Sequence, residues 1–233
     1  MSHGKLHSAN QFKVCAFSFL VCGGCYTLGF LVSWLTYPEI SQGMELKQEF
    51  MLSNRYFYEV WYFIIYILFG TSLASLIVTF PKNKRNDDHY VSRIGTSFGL
   101  IWVCLVITSG MVAIIALETM ASIQCEYPQY VFELWMITSV IQEATGGGIE
   151  FVGGLWMFCM CSKVSWNSSL NNNARILGVV IGFSGILTVI PISDFFEVLF
   201  GVGQLVWFNW VGFLLIKNNC LLMNSSLVNR KEK

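Results

Sequence analysis

The stretch Glu143-Ala-Thr-Gly-Gly-Gly-Ile-Glu150-Phe-Val-Gly-Gly-Leu-Trp156 lies inside the fourth of six long apolar segments. It holds the two carboxylates that fall well within such a segment. On a continuous helix, positions 143, 147, 150 and 154 share one face, which here reads Glu, Gly, Glu, Gly. An acid in a membrane-length segment is costly, so it usually faces a protein interior and has a function there.

The rest of the chain sets the frame for this stretch. It is 55% hydrophobic and 12% charged over 233 residues, a composition of the membrane class. The apolar runs predict an all-α, polytopic membrane protein forming one integral membrane domain. Its spans are expected at about 14–36, 56–80, 94–117, 133–161, 176–192 and 195–216. The first run is longer than the apolar part of a signal peptide and has no small-x-small cleavage site after it, so it reads as a retained helix. Trp34 and Tyr37 suit the headgroup level, and Pro38 is expected to stop the helix. Between the first two spans, Met44 to Leu52 suits a short helix on the membrane surface.

Lys and Arg fix the expected orientation. With both termini cytoplasmic, twelve fall inside and two, Lys47 and Arg55, outside. One span more or fewer would scramble that division. The net charge is zero, which implies no nucleic-acid partner. The partners implied are the lipid bilayer and a small polar or cationic solute, with assembly into an oligomer left open.

Six of the eight cysteines fall in or at the ends of apolar segments, and Cys125 is alone on the outer side, so no disulfide framework is indicated. Cys22-Gly-Gly-Cys25 has a redox or metal spacing, but it sits in mid-segment, where neither thiolate nor metal is readily accommodated. His3, His7 and His89 all lie outside the spans, which leaves no paired haem ligands. No phosphate-binding loop, HExxH or GxSxG occurs, and neither a cofactor nor an enzyme activity is implied.

The candidate site residues are therefore polar groups within the spans. Glu150 stays near mid-membrane under any placement of the fourth segment. With no Lys or Arg in the spans, it must be protonated, hydrated in a cavity or bound to a cation. Two readings stay open: a proton, cation or substrate site, and a protonated acid bonding a neighbouring helix. Glu143 falls closer to the outer interface. Thr108 and Ser109 on the third span, and Gln204 and Asn209 on the sixth, are the candidate partners of Glu150. Gly146, Gly147, Gly148, Gly153 and Gly154 serve either close helix packing or a local break whose carbonyls line a site. Asp194 and Glu197 fit a capping box at the start of the sixth span.

Gly154-Leu-Trp156 followed by two cysteines resembles the claudin signature, but there the motif lies in an extracellular loop of a four-helix protein, and here it lies in an apolar segment. The segment Glu150-Phe-Val-Gly-Gly-Leu-Trp156, a polar connection and Ala174-Arg-Ile-Leu-Gly-Val-Val-Ile-Gly-Phe-Ser-Gly185 are similar to a family of uncharacterised bacterial six-helix membrane proteins, grouped by a domain of unknown function. The resemblance implies a bacterial inner-membrane location and brings no activity with it. The function expected is a small-solute or ion- or proton-coupled transporter with a mid-membrane acid. The alternative is a non-catalytic membrane scaffold or partner subunit.

Overall fold

The structure, a computed structural model, describes residues 2–40, 43–80, 90–147, 150–162, 171–190 and 194–231. Side chains are placed from residue 11 to 36 in the first of these stretches, to 146 in the third and from 195 to 217 in the last. The described residues are almost wholly helical, with no strand among them. Four helices are long and apolar enough to cross a membrane: Gln11–Thr36, Arg55–Thr79, Tyr90–Ile123 and Phe195–Lys217. Asn172–Leu187 is apolar but shorter.

In chain order, α1 (Ser2–Ile40) is followed by the short α2 (Met44–Ser53). The segment α3 (Arg55–Tyr62) continues through a π-helical turn, Phe63–Leu68, into α4 (Phe69–Thr79). The long α5 (Tyr90–Ile123) is followed by α6 (Pro128–Gln142), a second π-helical turn (Glu143–Gly147) and α7 (Phe151–Met160). Then come α8 (Asn172–Leu187) and α9 (Asp194–Lys231). The surface helix expected after the first span is α2, which buries Met51. Pro38 does not stop α1, which runs on to Ile40: a proline this close to a helix end removes one backbone bond and little else.

The helices close a circuit in which each packs on the next: α1 on α4, α4 on α5, α5 on α7, α7 on α8, α8 on α9, and α9 back on α1. The inward face of α5 shows why. Gly95, Gly99, Trp102, Val106, Ser109, Ala113 and Leu117 recur every three or four residues and are buried, while Leu100, Ile101, Thr108, Met111 and Ile115 on the other faces are exposed. Exposed Phe17, Trp34, Val78, Ile137, Phe183 and Phe213 extend this apolar exterior around the circuit. An exterior so apolar suits lipid rather than water.

The core has two parts. One, reaching from the middle of the bundle to the end where Lys13, Arg93, Arg175 and Lys217 lie, is an aromatic plug. Phe19, Phe69, Trp102, Trp156, Phe200, Trp207 and Phe208 are all buried, and Phe19–Trp207, Trp102–Trp156 and Trp156–Trp207 have ring centroids 5.3, 5.5 and 6.3 Å apart. The other is formed by α2, α3, α5 and α6 at the opposite end, with Met51, Tyr58, Tyr62, Leu117, Met120 and Trp135 buried together. There the Lys47 ammonium lies 5.9 Å from the Trp135 ring centroid, tying α2 to α6.

The fourth apolar segment is not one helix. It breaks between α6 and α7, where Gly146 adopts φ +147°, a conformation that L side chains rarely reach. The shared helical face expected for Glu143, Gly147, Glu150 and Gly154 therefore does not exist. The physical reason is the glycine run: without Cβ atoms it loses little by leaving the helix, and it has no side chain to hold it there.

Candidate functional site

Glu150 stands at the break, as the residue that opens α7. Its carbonyl accepts the first helical bond from the Gly154 N–H at 2.8 Å. Its own N–H, which has no partner within α7, donates to Thr188 Oγ1 at 3.0 Å, and that hydroxyl in turn donates to the Gly185 carbonyl at 2.8 Å. The carboxylate does not cap its own helix. Instead Oε2 accepts the Trp102 indole N–H at 3.1 Å, from α5. Backbone and side chain of Glu150 are thus held from opposite sides, by α8 and α5.

Glycines permit this placement. A Cβ on Gly154 would lie 2.5 Å from the Ile186 N and 2.7 Å from the Gly182 O, so α7 and α8 touch backbone to backbone. One on Gly153 would lie 2.6 Å from the Trp102 ring, the same ring that binds Glu150. The two roles expected of the glycines are thus divided between them: Gly146 makes the break, and Gly153 and Gly154 make the close packing. Gly147 ends the π-helical turn, and Gly148 lies outside the described residues.

Glu150 is partly buried and lines a cavity of about 350 Å³. Tyr26, Ser33, Tyr66 and Glu197 add polar groups to its wall. Phe30, Trp61 and Phe69 make that wall largely aromatic, and Val106 and Gly146 complete it near Glu150. The lining comes from α1, the α3–α4 segment, α5, the α6–α7 break and α9, so the cavity lies within the bundle. Its depth follows from the helices. Ser33, Trp61 and Glu197 lie toward the end that carries α2, and Glu150 lies at the other end of the cavity. The ten residues of α7 place Glu150 about 15 Å from the Met160 end of the bundle, half the thickness of a hydrocarbon core of about 30 Å.

The two π-helical turns flank this level. Tyr66 belongs to the first and its hydroxyl accepts from Gln142 Nε2 at 3.0 Å, just before the second. The Gln142 carbonyl accepts from the Ser109 hydroxyl at 3.0 Å. Gly110 of α5 packs directly against Tyr66. One polar chain, Ser109–Gln142–Tyr66, therefore pins both irregular turns to α5 beside the cavity, a common setting for π-turns at functional sites.

The expected partners of Glu150 fare differently. Thr108 is exposed on α5 and faces away from the cavity, because the inward face is set by Trp102, Val106 and Ser109. Asn209 donates to the Leu205 carbonyl of its own helix at 2.8 Å, and its amide packs on Gly23, where a Cβ would lie 2.7 Å away. Neither residue lines the cavity. Gln204 is fully buried on the face of α9 that carries Phe200, Trp207 and Phe208, within the plug. Its amide N and O have no partner among the described residues, and neither does the Trp156 indole N–H. Glu143 is exposed and lies outside the cavity. Glu59, also of the second apolar segment, pairs with Arg55 at 3.0 Å. Cys22 and Cys25 are buried, unbridged thiols in α1.

Trp102 and Thr188, which bond Glu150, and Tyr26, Tyr66 and Gln142 on or beside the cavity wall carry no motif, so nothing in the local sequence pattern marks them. Glu197 was legible only as a capping residue, and its expected partner Asp194 has no described side chain. The one available signal for Trp102 was its place three residues after Gly99 on the Gly95–Gly99 face. Comparison with protein-family models, with curated proteins and with solved structures returned no match to this chain.

Proposed function

We propose that this chain is a membrane transport protein with six spans and cytoplasmic termini, of the bacterial inner-membrane family it resembles. In this reading it carries a small cationic or proton-coupled solute, and Glu150 is its charge site. The observation that carries the reading is the position of Glu150: at the break of a membrane-length segment, near mid-depth, on the wall of a cavity drawn from most of the bundle. Transporters build midplane sites from such discontinuous helices. A scaffold would instead bury the acid dry against one neighbour. The helix circuit supports six spans, since the α6–α7 pair and the shorter α8 each fill one place in it. The grouping of Lys13, Arg93, Arg175 and Lys217 at one end supports the orientation.

In this reading the aromatic plug closes the cytoplasmic half. Gln204 and the Trp156 indole N–H are the polar groups a solute meets once the plug opens. Their lack of partners in the closed arrangement is a cost that an alternative arrangement removes.

The test is solute and proton flux in proteoliposomes containing the full chain, comparing wild type with Glu150→Gln. The substitution keeps the shape and the hydrogen bond from Trp102 while removing the charge. A fall of at least about tenfold is expected, the loss of one charged contact. Undiminished flux in the variant would sink the role of Glu150, and no flux over a broad panel of solutes and ions would return the chain to the scaffold class.

A further inference from the structure

We infer that the cavity beside Glu150 is a receptor for an organic ammonium cation, a methylated or alkylated amine small enough for about 350 Å³. The inference rests on the preceding reading of Glu150 as a charge site and names the class of solute. Three features of the wall select it. First, among the described residues that line it the charged groups are the carboxylates of Glu150 and Glu197, with no Lys, Arg or His, so an anion is repelled. Second, Tyr26, Phe30, Trp61, Tyr66 and Phe69 supply aromatic surface from two sides, α1 and the α3–α4 segment. Ring faces attract cations, and quaternary ammonium groups are recognised by such cages. Third, a metal ion is poorly served. Among the described residues no group of three or more His, Cys, Asp or Glu side chains is placed to hold one, and a hard cation that sheds water needs many oxygen ligands. An alkylammonium ion has less hydration to lose and spreads its charge over methyl groups, so an apolar, acid-tipped cavity suits it. A neutral solute of the same shape would gain nothing from two carboxylates.

The geometry also gives the pose. Glu150 is fixed at the deep end by Trp102 and Thr188, so it is a preorganised counter-ion rather than a mobile one. Trp102 is not among the lining residues, so the cation meets the Glu150 carboxylate from the cavity, whose wall includes Tyr26 and Tyr66. The hydroxyl of Tyr66 is held by Gln142, which keeps the ring in place as a wall.

The test is isothermal titration calorimetry on the detergent-solubilised full chain, with tetramethylammonium as probe and with tert-butanol and potassium as the neutral and inorganic counterparts. Saturable binding of tetramethylammonium alone is expected. Glu150→Gln should weaken it at least about tenfold. Phe30→Leu, at a partly exposed ring whose loss leaves the core intact, should weaken it about 2- to 30-fold. Equal binding of tert-butanol, equal binding by Glu150→Gln, or no saturable heat in a wild-type sample that melts cooperatively would each overturn the proposal. The two readings fail separately. Glu150-dependent proton or potassium flux without tetramethylammonium binding refutes the solute class and leaves the charge site standing. Tetramethylammonium binding without flux upholds the receptor and refutes transport.

Discussion

Gly154→Ala tests the construction of the site at the contact that positions it. The added methyl would lie 2.5 Å from Ile186 N, 2.6 Å from Gly185 C and 2.7 Å from Gly182 O. Ordinary contacts between such atoms fall at about 3.5–4.0 Å. All three atoms belong to backbone, so no rotamer change relieves the clash, and α7 and α8 must separate by about 1 Å. Overpacking of this kind costs about 1–3 kcal/mol. The same displacement stretches the 3.0 Å bond from Glu150 N–H to Thr188 beyond useful length, which adds about 1 kcal/mol. The expected loss is about 2–4 kcal/mol. At about 2–4 °C per kcal/mol for a chain of this size, the midpoint of thermal unfolding in detergent should fall by roughly 5–15 °C. Gly24→Ala is the control. Nothing lies within 4 Å of a Cβ at Gly24, so the change should be neutral or stabilising by about 0.5–1 kcal/mol. Equal midpoints for Gly154→Ala and Gly24→Ala would refute the backbone contact between α7 and α8, and with it the account of how Glu150 is held.

Two other substitutions probe the break and the counter-ion. Gly146→Ala places a Cβ at φ +147° and should cost about 1–3 kcal/mol through backbone strain, even though the nearest atoms, on Val106, are 3.5 Å away; a melting midpoint unchanged from wild type would show that the chain does not turn there. Trp102→Phe removes the indole N–H that binds Glu150 at 3.1 Å and leaves most of the ring packing. It should weaken flux or tetramethylammonium binding about tenfold, with a melting loss of about 1–3 kcal/mol, whereas a stability loss with solute handling untouched would make Trp102 a packing residue only.

Much of the fold was legible because the signals for membrane helices are long and redundant. The windows 14–36 and 195–216 each fall within a helix long enough to cross a membrane, 56–80 overruns its helical pair only by Phe80, and the short, glycine-rich fifth run contains most of the apolar α8, which ends at Leu187. Their ends were less legible. The third helix overruns its expected 94–117 window at both ends, reaching Tyr90 and Ile123, since polar residues do not break a helix once tertiary contacts hold it. There α5 extends beyond the apolar window to pack Met120 against α2 and α6.

The site was legible only in its centre, and the reason is geometric. Glu150 announces itself by cost alone, as an acid in an apolar run. Its partners do not, because a side chain that meets Glu150 from another helix leaves no mark in the local pattern. The expected partners are the polar residues of the third and sixth spans, yet polarity does not say which way a residue points. Thr108 and Ser109 are adjacent, and a helix turns about 100° between them, enough to put one outside and the other on the Gln142 carbonyl. The groups that shape the cavity are mostly aromatic, and in an apolar sequence Tyr26, Tyr66 and Trp102 read as ordinary core. The same ambiguity surrounded the glycine run, which suits packing and breaking equally well. What resolves it is that a helix continued through Gly146 would carry Glu150 around the axis by the usual turn per residue. The break frees Glu150 from the phase of α6 and puts it in that of α7, so its carboxylate meets Trp102 on the same side as Gly153, three residues later, while Gly154 faces α8. A triple glycine before a lone membrane acid thus uncouples the acid's direction from the helix that precedes it and ties it to the packing face of the helix that follows.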